Sequence, residues 1–174
     1  AAKAKGVNKR TNDPEMRTLI PILLIAVLLA ACEDRLAYSQ FQATGDGTWH
    51  RDDVMEFRLE DPDTTRAHTL YILLRNDEQY PYSNLFLIAE MSYPDGQSQR
   101  DTLEYVMADA SGHWLGAGFG SVYENKLGFR KDVVFPTKGV YTIEISHAMR
   151  KNGSVQGVES LPGVLDVGFQ VEEN

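Results

Sequence analysis

Apolar and polar residues alternate most regularly near the end of the chain. Between Val140 and Ile145, the side chains of Tyr141 and Ile143 fall on the same face as that of Ile145, and polar residues lie between them. The segment Leu165–Val171 repeats this alternation. A period of two residues places successive side chains on opposite faces, so it predicts strands with one buried and one solvated face.

Shorter runs of the same kind precede these two strands. They occupy Val54–Leu59, Thr69–Leu74, Leu85–Tyr93 and Leu103–Met107. Clusters of Gly, Pro, Asn and Asp separate them, such as Pro94-Asp95-Gly96. No segment after Cys32 keeps a helical repeat over three turns. We therefore predict an all-β fold, an antiparallel β-sandwich of about eight strands with jelly-roll-like connections.

A different pattern occupies the first part of the chain. The run Leu19–Ala31 contains thirteen residues without a charge and follows Met16-Arg17-Thr18. It is too short for a transmembrane helix, which needs about 20 residues, and it has the layout of a secretory signal. It ends in Leu29-Ala30-Ala31-Cys32, which looks like a bacterial lipobox. We predict that the Cys32 thiol carries a diacylglyceryl group; the alternative is a buried structural cysteine.

These observations divide the chain into three parts. Residues 1–31 are interpreted as an N-terminal extension, ahead of Met16, followed by a lipoprotein signal peptide. Residues 32–37 are expected to form a lipidated tether, and residues 38–174 the sandwich domain.

Charge separates the first part from the rest. The whole chain carries a formal charge of −8, and residues 1–31 contain five Lys or Arg against two acids, so the remainder carries −11. An acidic domain of this kind is not expected to bind nucleic acid or anionic headgroups. Acyl chains, at about 0.8 kcal/mol per buried CH₂, supply the membrane affinity instead.

Residues that could support catalysis or bind a cofactor are sparse. The single cysteine is assigned to lipid, and the four histidines have no metal-ligand spacing. Asp52 and Asp53 are adjacent, so on a strand they would face opposite ways. Gly116–Gly120 lacks the following helix that a phosphate loop needs, and it reads as a glycine-kinked strand or bulge. We expect no metal, no cofactor and no enzymatic activity.

Aromatic residues supply the binding candidates. The densest loop cluster is Tyr80-Pro81-Tyr82-Ser83-Asn84, and loops often carry function. The candidates for contacting a partner or a glycan are Tyr80, Tyr82, Asn84, Trp49 and Trp114. For each aromatic ring the alternative is packing in the core or support of a strand end.

Several short blocks, in order, resemble the gliding motility lipoprotein GldH family of the Bacteroidota. The most specific are Tyr80-Pro81-Tyr82-Ser83-Asn84-Leu85 and Leu161-Pro162-Gly163-Val164-Leu165-Asp166-Val167-Gly168; weaker ones include Gly112-His113-Trp114-Leu115-Gly116 and Asp101-Thr102-Leu103.

The resemblance implies an outer-membrane lipoprotein, lipidated on Cys32, that is needed for gliding and associated with type IX secretion. It implies other envelope or motility proteins as partners and offers no catalytic residues to transfer. A glycan-binding surface lipoprotein remains the alternative, because sandwich domains with exposed aromatic rings often bind sugars.

Two short blocks resemble the O-glycosylation motif of the same bacterial group. They are Asp63-Thr64-Thr65 and Asp101-Thr102-Leu103. Thr64 and Thr102 are the candidate acceptors, and Thr64 is the better one because it lies in a predicted loop.

Overall fold

The structure is a computed structural model that describes residues 35–151 and 153–174. This part of the chain contains eleven strands and no helix. The strands are β1 (Leu36–Ala43), β2 (Thr48–His50), β3 (Met55–Glu60), β4 (His68–Asn76), β5 (Asn84–Ser92), β6 (Ser98–Val106), β7 (Ala117–Phe119), β8 (Val122–Val133), β9 (Val140–His147), β10 (Ser160–Pro162) and β11 (Val164–Glu173).

The strands form two large sheets and one small ribbon. The five-stranded sheet has the order β1-β11-β4-β8-β7, the four-stranded sheet β3-β9-β5-β6, and β10 pairs with β2. The pairings between named strands are antiparallel, so the predicted all-β antiparallel class is confirmed.

The predicted strand number of about eight was too low. Three of the eleven strands, β2, β7 and β10, contain only three residues each, too few for alternation to be visible. In addition, β1 begins at Leu36, inside the predicted tether 32–37, so Leu36 and Ala37 belong to the sheet.

The two large sheets share one hydrophobic core. Along β3 and β9, buried and more exposed residues alternate without interruption. The ring of Phe57 in β3 lies 6.1 Å from that of Phe169 in β11, so inward side chains of the two sheets meet. The core includes Phe57, Leu70, Ile72, Leu85, Leu87, Tyr141, Ile143, Ile145, Val167 and Phe169. Face-to-face sheets around a common core are the arrangement of a β-sandwich.

Long side chains cover the outer face of the five-stranded sheet. The Arg75 guanidinium lies 3.9 Å from the ring centre of Phe41 and bonds Glu124 at 2.8 Å. The Lys126 ammonium lies 4.2 Å from the ring centre of Tyr71. These cation–π contacts place a charged side chain over each of the two aromatic rings.

Side chains also close the gaps between the edges of the two sheets. The Tyr105 hydroxyl of β6 donates to the Gly128 carbonyl of β8 at 2.8 Å, and Arg130 of β8 pairs with Asp101 of β6. On the opposite side, the Gln42 amide of β1 donates to a backbone carbonyl of β3. Some backbone carbonyls at the sheet edges, which could otherwise pair with other chains, thus accept hydrogen bonds within the domain.

The sandwich has two distinct ends. At the tether end, the Glu173 amide donates to the Arg35 carbonyl at 2.7 Å, so the first described residue lies beside the end of β11. The loop 61–67 and the turn 93–97 lie at this end as well. The distal end carries the loops 44–47, 51–54, 77–83, 107–116 and 148–159.

Candidate interaction site

The predicted aromatic loop lies at the distal end, and its first tyrosine points inward. Tyr80 is buried, and its hydroxyl donates to the Asn84 carbonyl at 2.7 Å. Burial, with a smaller effect of neighbouring Tyr82, raises the pKa of the Tyr80 hydroxyl. The Tyr80 and Tyr82 rings meet edge to face, with 5.9 Å between their centres. Tyr80 therefore fixes the loop and supports Tyr82.

A glycine holds this loop against the turn between β10 and β11. The Asp77 amide donates to the Gly163 carbonyl at 2.9 Å, and Gly163 has a φ of 78°. A Cβ at Gly163 would lie 2.1 Å from the Tyr80 nitrogen. Only glycine combines that angle with so close an approach.

The two tryptophans have different places. Trp49 is completely buried, and its indole nitrogen donates to the Asp53 carbonyl at 2.8 Å. Trp114 is half-buried, with its ring centre 6.0 Å from that of Tyr80 and 5.8 Å from that of Tyr123.

Burial removes two residues from the candidates for direct contact. The core encloses the Trp49 and Tyr80 rings, so they cannot reach a partner. The prediction that these two residues contact a partner or a glycan directly is therefore corrected. Tyr82, Asn84 and Trp114 keep part of their surface in solvent. The Asn84 amide lies 3.4 Å from a Glu104 carboxylate oxygen on the outer face of the four-stranded sheet.

A buried histidine lies behind this loop cluster. The His147 ring meets that of Trp49 edge to face at 5.4 Å. Neither ring nitrogen of His147 has a hydrogen-bond partner within the described residues. Burial, the largest effect, lowers the pKa of the His147 ring, and the nearby Trp49 backbone opposes it in part.

A cleft of about 690 Å³ opens beside Tyr82. Pro81 and Tyr82 line it from the predicted loop, while Lys151, Ser154, Gln156, Gly157–Ser160 and Pro162 line it from the chain between β9 and β11. The volume is within the range of ligand sites, roughly 300–1,000 Å³. A lining of prolines, one aromatic ring and polar side chains is better suited to binding a partner than to catalysis.

The remaining candidates are spread over the domain. Thr64 is partly exposed in the loop before β4, and neighbouring Thr65 donates its hydroxyl to Asp63 at 2.6 Å. That bond, with the Thr65 amide bond, lowers the pKa of the Asp63 carboxyl. Thr102 is exposed in the middle of β6, paired with Ile88. Cys32 lies outside the described residues.

The histidines and acids do not assemble into a metal centre in the described ranges. No three His, Cys, Asp or Glu side chains there are placed to hold an ion. His50 and His113 are exposed, and His68 and His147 are buried. The same ranges contain no helix long and apolar enough to cross a membrane.

Fold and site together define an all-β sandwich domain with a surface cleft. The sequence model of the GldH lipoprotein family matches residues 36–171. The chain belongs to the GldH lipoprotein family.

Two relatives support the same assignment. The gliding motility lipoprotein GldH homolog of Christiangramia forsetii is 42% identical over 148 residues, covering 85% of this chain and 90% of the relative. The gliding motility lipoprotein GldH of Flavobacterium johnsoniae is 40% identical over 152 residues, covering 87% and 94%. The predicted assignment to the gliding motility lipoproteins is confirmed.

Similarity to solved structures is weak. The VP2 subviral particle of infectious bursal disease virus gives a TM-score of 0.36 at 14% identity, covering 79% of this chain. The T13 particle of the same virus also gives 0.36, at 13% identity. The chain spans about a third of the length of those viral chains, 32% in both cases. Scores this low have no bearing on function.

Proposed function

We propose that the protein is lipidated on Cys32, anchored in the outer membrane, and serves gliding and type IX secretion by binding other envelope proteins without catalysis. The family match over residues 36–171 carries this proposal. The lipobox-like Leu29-Ala30-Ala31-Cys32 supports the anchor.

The tether end is proposed to face the membrane. Cys32 precedes Arg35 by three residues, which span at most about 11 Å when fully extended. Arg35 in turn lies at the tether end. A lipid on Cys32 would therefore hold that end close to the bilayer and direct the distal end, with Tyr82 and the cleft, away from it.

The connections support a jelly-roll assignment. Eight strands are six residues or longer, and numbering these alone in chain order gives sheet orders 1-8-3-6 and 2-7-4-5. That order follows from two Greek keys, the hallmark of the jelly roll. The three short strands β2, β7 and β10 are additions to it.

Gene deletion tests the cellular role. Loss of the gene is expected to stop colony spreading and single-cell gliding, and the wild-type gene supplied in trans should restore both. The amounts of type IX cargo in the medium, measured in the same strains, separate a secretion role from a purely motile one. Normal gliding and normal secretion in the deletion strain would contradict the proposal.

Thr64 is proposed as the O-glycan acceptor. Its partial exposure in a loop supports it, whereas Thr102 lies within the paired strand β6. The intact mass of the purified protein should exceed that of polypeptide plus lipid, and Thr64→Ala should remove the excess. An unmodified mass in the wild type would end the proposal.

A further inference from the structure

One boundary of the cleft is the unpaired edge of a strand. β10 pairs with β2 and with no other strand in the described part of the chain. Ser160 and Pro162, the first and last residues of β10, both line the cleft. The edge of β10 that faces away from β2 is therefore available to another chain.

The register of the ribbon identifies which backbone groups are available. The Arg51 amide donates to the Glu159 carbonyl, and the Gly163 amide donates to the Gly47 carbonyl, both at 2.9 Å. Residues that bond across an antiparallel pair alternate with residues whose backbone groups point the other way. Ser160 is such an intervening residue.

Pro162 is the second intervening residue, and it has no N–H group. The free edge thus offers the N–H and C=O groups of Ser160 and the C=O group of Pro162. Prolines are common on edge strands, where they limit uncontrolled pairing with other chains, and Pro162 is placed in this way.

The loop that carries Tyr82 contributes apolar surface to the same cleft. Tyr82 and Pro81 line it, and the edge-to-face contact of Tyr82 with buried Tyr80 holds the Tyr82 ring. A side chain placed against Tyr82 would lose water from both surfaces with little ordering of the protein.

We propose that an extended segment of a partner polypeptide docks in this cleft as an added strand beside β10, with an apolar side chain against Tyr82. The inference rests on the proposed role of the domain in binding envelope proteins, and it names the chemistry of the partner. Hydrogen bonds to the main chain provide attachment, and the Tyr82 wall selects the side chain.

The spacing of the edge favours a polypeptide over a sugar. Successive outward-facing residues of a strand lie two residues apart, about 6.6 Å at a rise of roughly 3.3 Å per residue. An extended peptide repeats its C=O and N–H groups at that same interval, so it can bond Ser160 and Pro162 together.

The test compares two substitutions at one position. Ser160→Pro removes the outward N–H while leaving the bonds of Glu159 and Gly163 to the β2 side in place. Ser160→Ala is the matched control, because it removes only the hydroxyl, which lies 2.9 Å from the His50 Nδ1 atom. Both variants are prepared as the full lipoprotein in detergent, with melting temperatures confirming that they fold.

The probe is a phage-displayed library of random linear dodecapeptides, selected on the wild-type lipoprotein. Selected peptides are synthesised, and their dissociation constants are measured by calorimetry. We expect Ser160→Pro to weaken binding about tenfold or more, Ser160→Ala less than about twofold, and Tyr82→Ala about tenfold.

N-methylation of the peptide gives an independent readout that needs no protein variant. Blocking the amides one at a time should abolish binding at two positions that lie two residues apart, where the amides donate to the Ser160 and Pro162 carbonyls, and should leave the position between them nearly unchanged. Equal effects of Ser160→Pro and Ser160→Ala, or no alternation in the methylation scan, would overturn strand addition.

Two further results would also overturn it: selection of no peptide above background, or retention of envelope polysaccharide that Tyr82→Ala abolishes. Because binding is measured on purified protein, either result leaves the motility role, tested by gene deletion, unaffected.

Discussion

Gly163 and Gly153 have the same φ of 78° but different surroundings. Alanine substitutions at the two positions therefore distinguish the cost of backbone strain from the cost of a steric clash. A Cβ on Gly153 meets nothing within 4 Å, whereas one on Gly163 meets the Tyr80 backbone. We expect Gly153→Ala to lower the free energy of unfolding by about 1–2 kcal/mol, from the left-handed angle alone. Gly163→Ala should lower it by at least about 3 kcal/mol, because the Tyr80 loop must move as well. Urea unfolding measures both changes in the free energy of unfolding. Equal losses for the two variants would show that the Tyr80 loop can move aside at no cost in stability.

His147 makes stability depend on pH. Its folded-state pKa lies below the ordinary value of 6.5, because burial opposes the charged ring. The unfolded chain therefore takes up the proton first as the pH falls. The contribution of neutral His147 is complete above about pH 6.5 and is lost as the pH falls toward the folded-state pKa, by at most about 1.4 kcal/mol per unit.

Urea unfolding between about pH 7.5 and 5.5 tests this dependence. His147→Phe should flatten the profile, since phenylalanine takes up no proton and can keep an edge contact with Trp49. The wild-type profile, measured under the same conditions, is the reference. Parallel profiles for wild type and His147→Phe would contradict the assignment.

At single positions, the sequence identified aromatic residues as binding candidates, but it could not predict which of them are buried. Trp49 lies in the three-residue strand β2, too short to show which face is inward, and so its burial could not be predicted. Tyr80 and Tyr82 are both adjacent to Pro81, yet one is enclosed and the other lines the cleft. Gly163, which packs against the Tyr80 backbone, lies far along the chain and reaches Tyr80 only after folding.

Among the strands, the contacts between β6 and β8 are expected to contribute measurably to stability. The Arg130 side chain is 14% exposed where it meets Asp101, while Arg100, which pairs with Glu90, is 63% exposed. The two acids have the same exposure, 31%. Loss of charge at Asp101 leaves a partly buried guanidinium poorly paired, whereas water replaces the partner of Arg100.

Isosteric substitutions make that comparison. We expect Asp101→Asn to lower the free energy of unfolding by about 1–2 kcal/mol and Glu90→Gln by less than about 0.5 kcal/mol. Thermal and urea unfolding of the two variants measure the difference. Equal small effects would mean that the sheets stay together without this ion pair.

Six of the eight longer strands were predictable from their own residue pattern, whereas β1, β8 and the three-residue strands were not. β3 and β9 alternate cleanly, and their predicted positions agree with the structure to within two residues at each end. β8 was missed because Asn125 occupies an inward position, where its amide donates to the Asn76 side chain at 2.9 Å. β10 was missed because its partner β2 lies about 110 residues earlier. The side of the cleft that β10 forms therefore could not be predicted from the residues around it.

For the whole molecule, attachment should depend on one residue. Cys32→Ala is expected to move the protein from the membrane fraction to the soluble fraction, because acyl chains supply the proposed anchor. Thr18→Ala, in the segment before the apolar run, is the control and should stay with the membrane. Mass spectrometry of the wild type provides the second check, since an unmodified Cys32 peptide would exclude lipid at this position.

The path of β1 gives the domain a mechanical property. β1 runs from the tether end to the distal end and pairs with β11 from Leu36 to Ala43. The hydrogen bonds of an antiparallel pair lie perpendicular to its strands. A pull between a lipid on Cys32 and a partner held in the distal cleft would thus act along β1 and load its bonds to β11 together, in shear. Tension applied in this direction cannot peel the strand away one bond at a time, so the hydrogen bonds between β1 and β11 would resist it together.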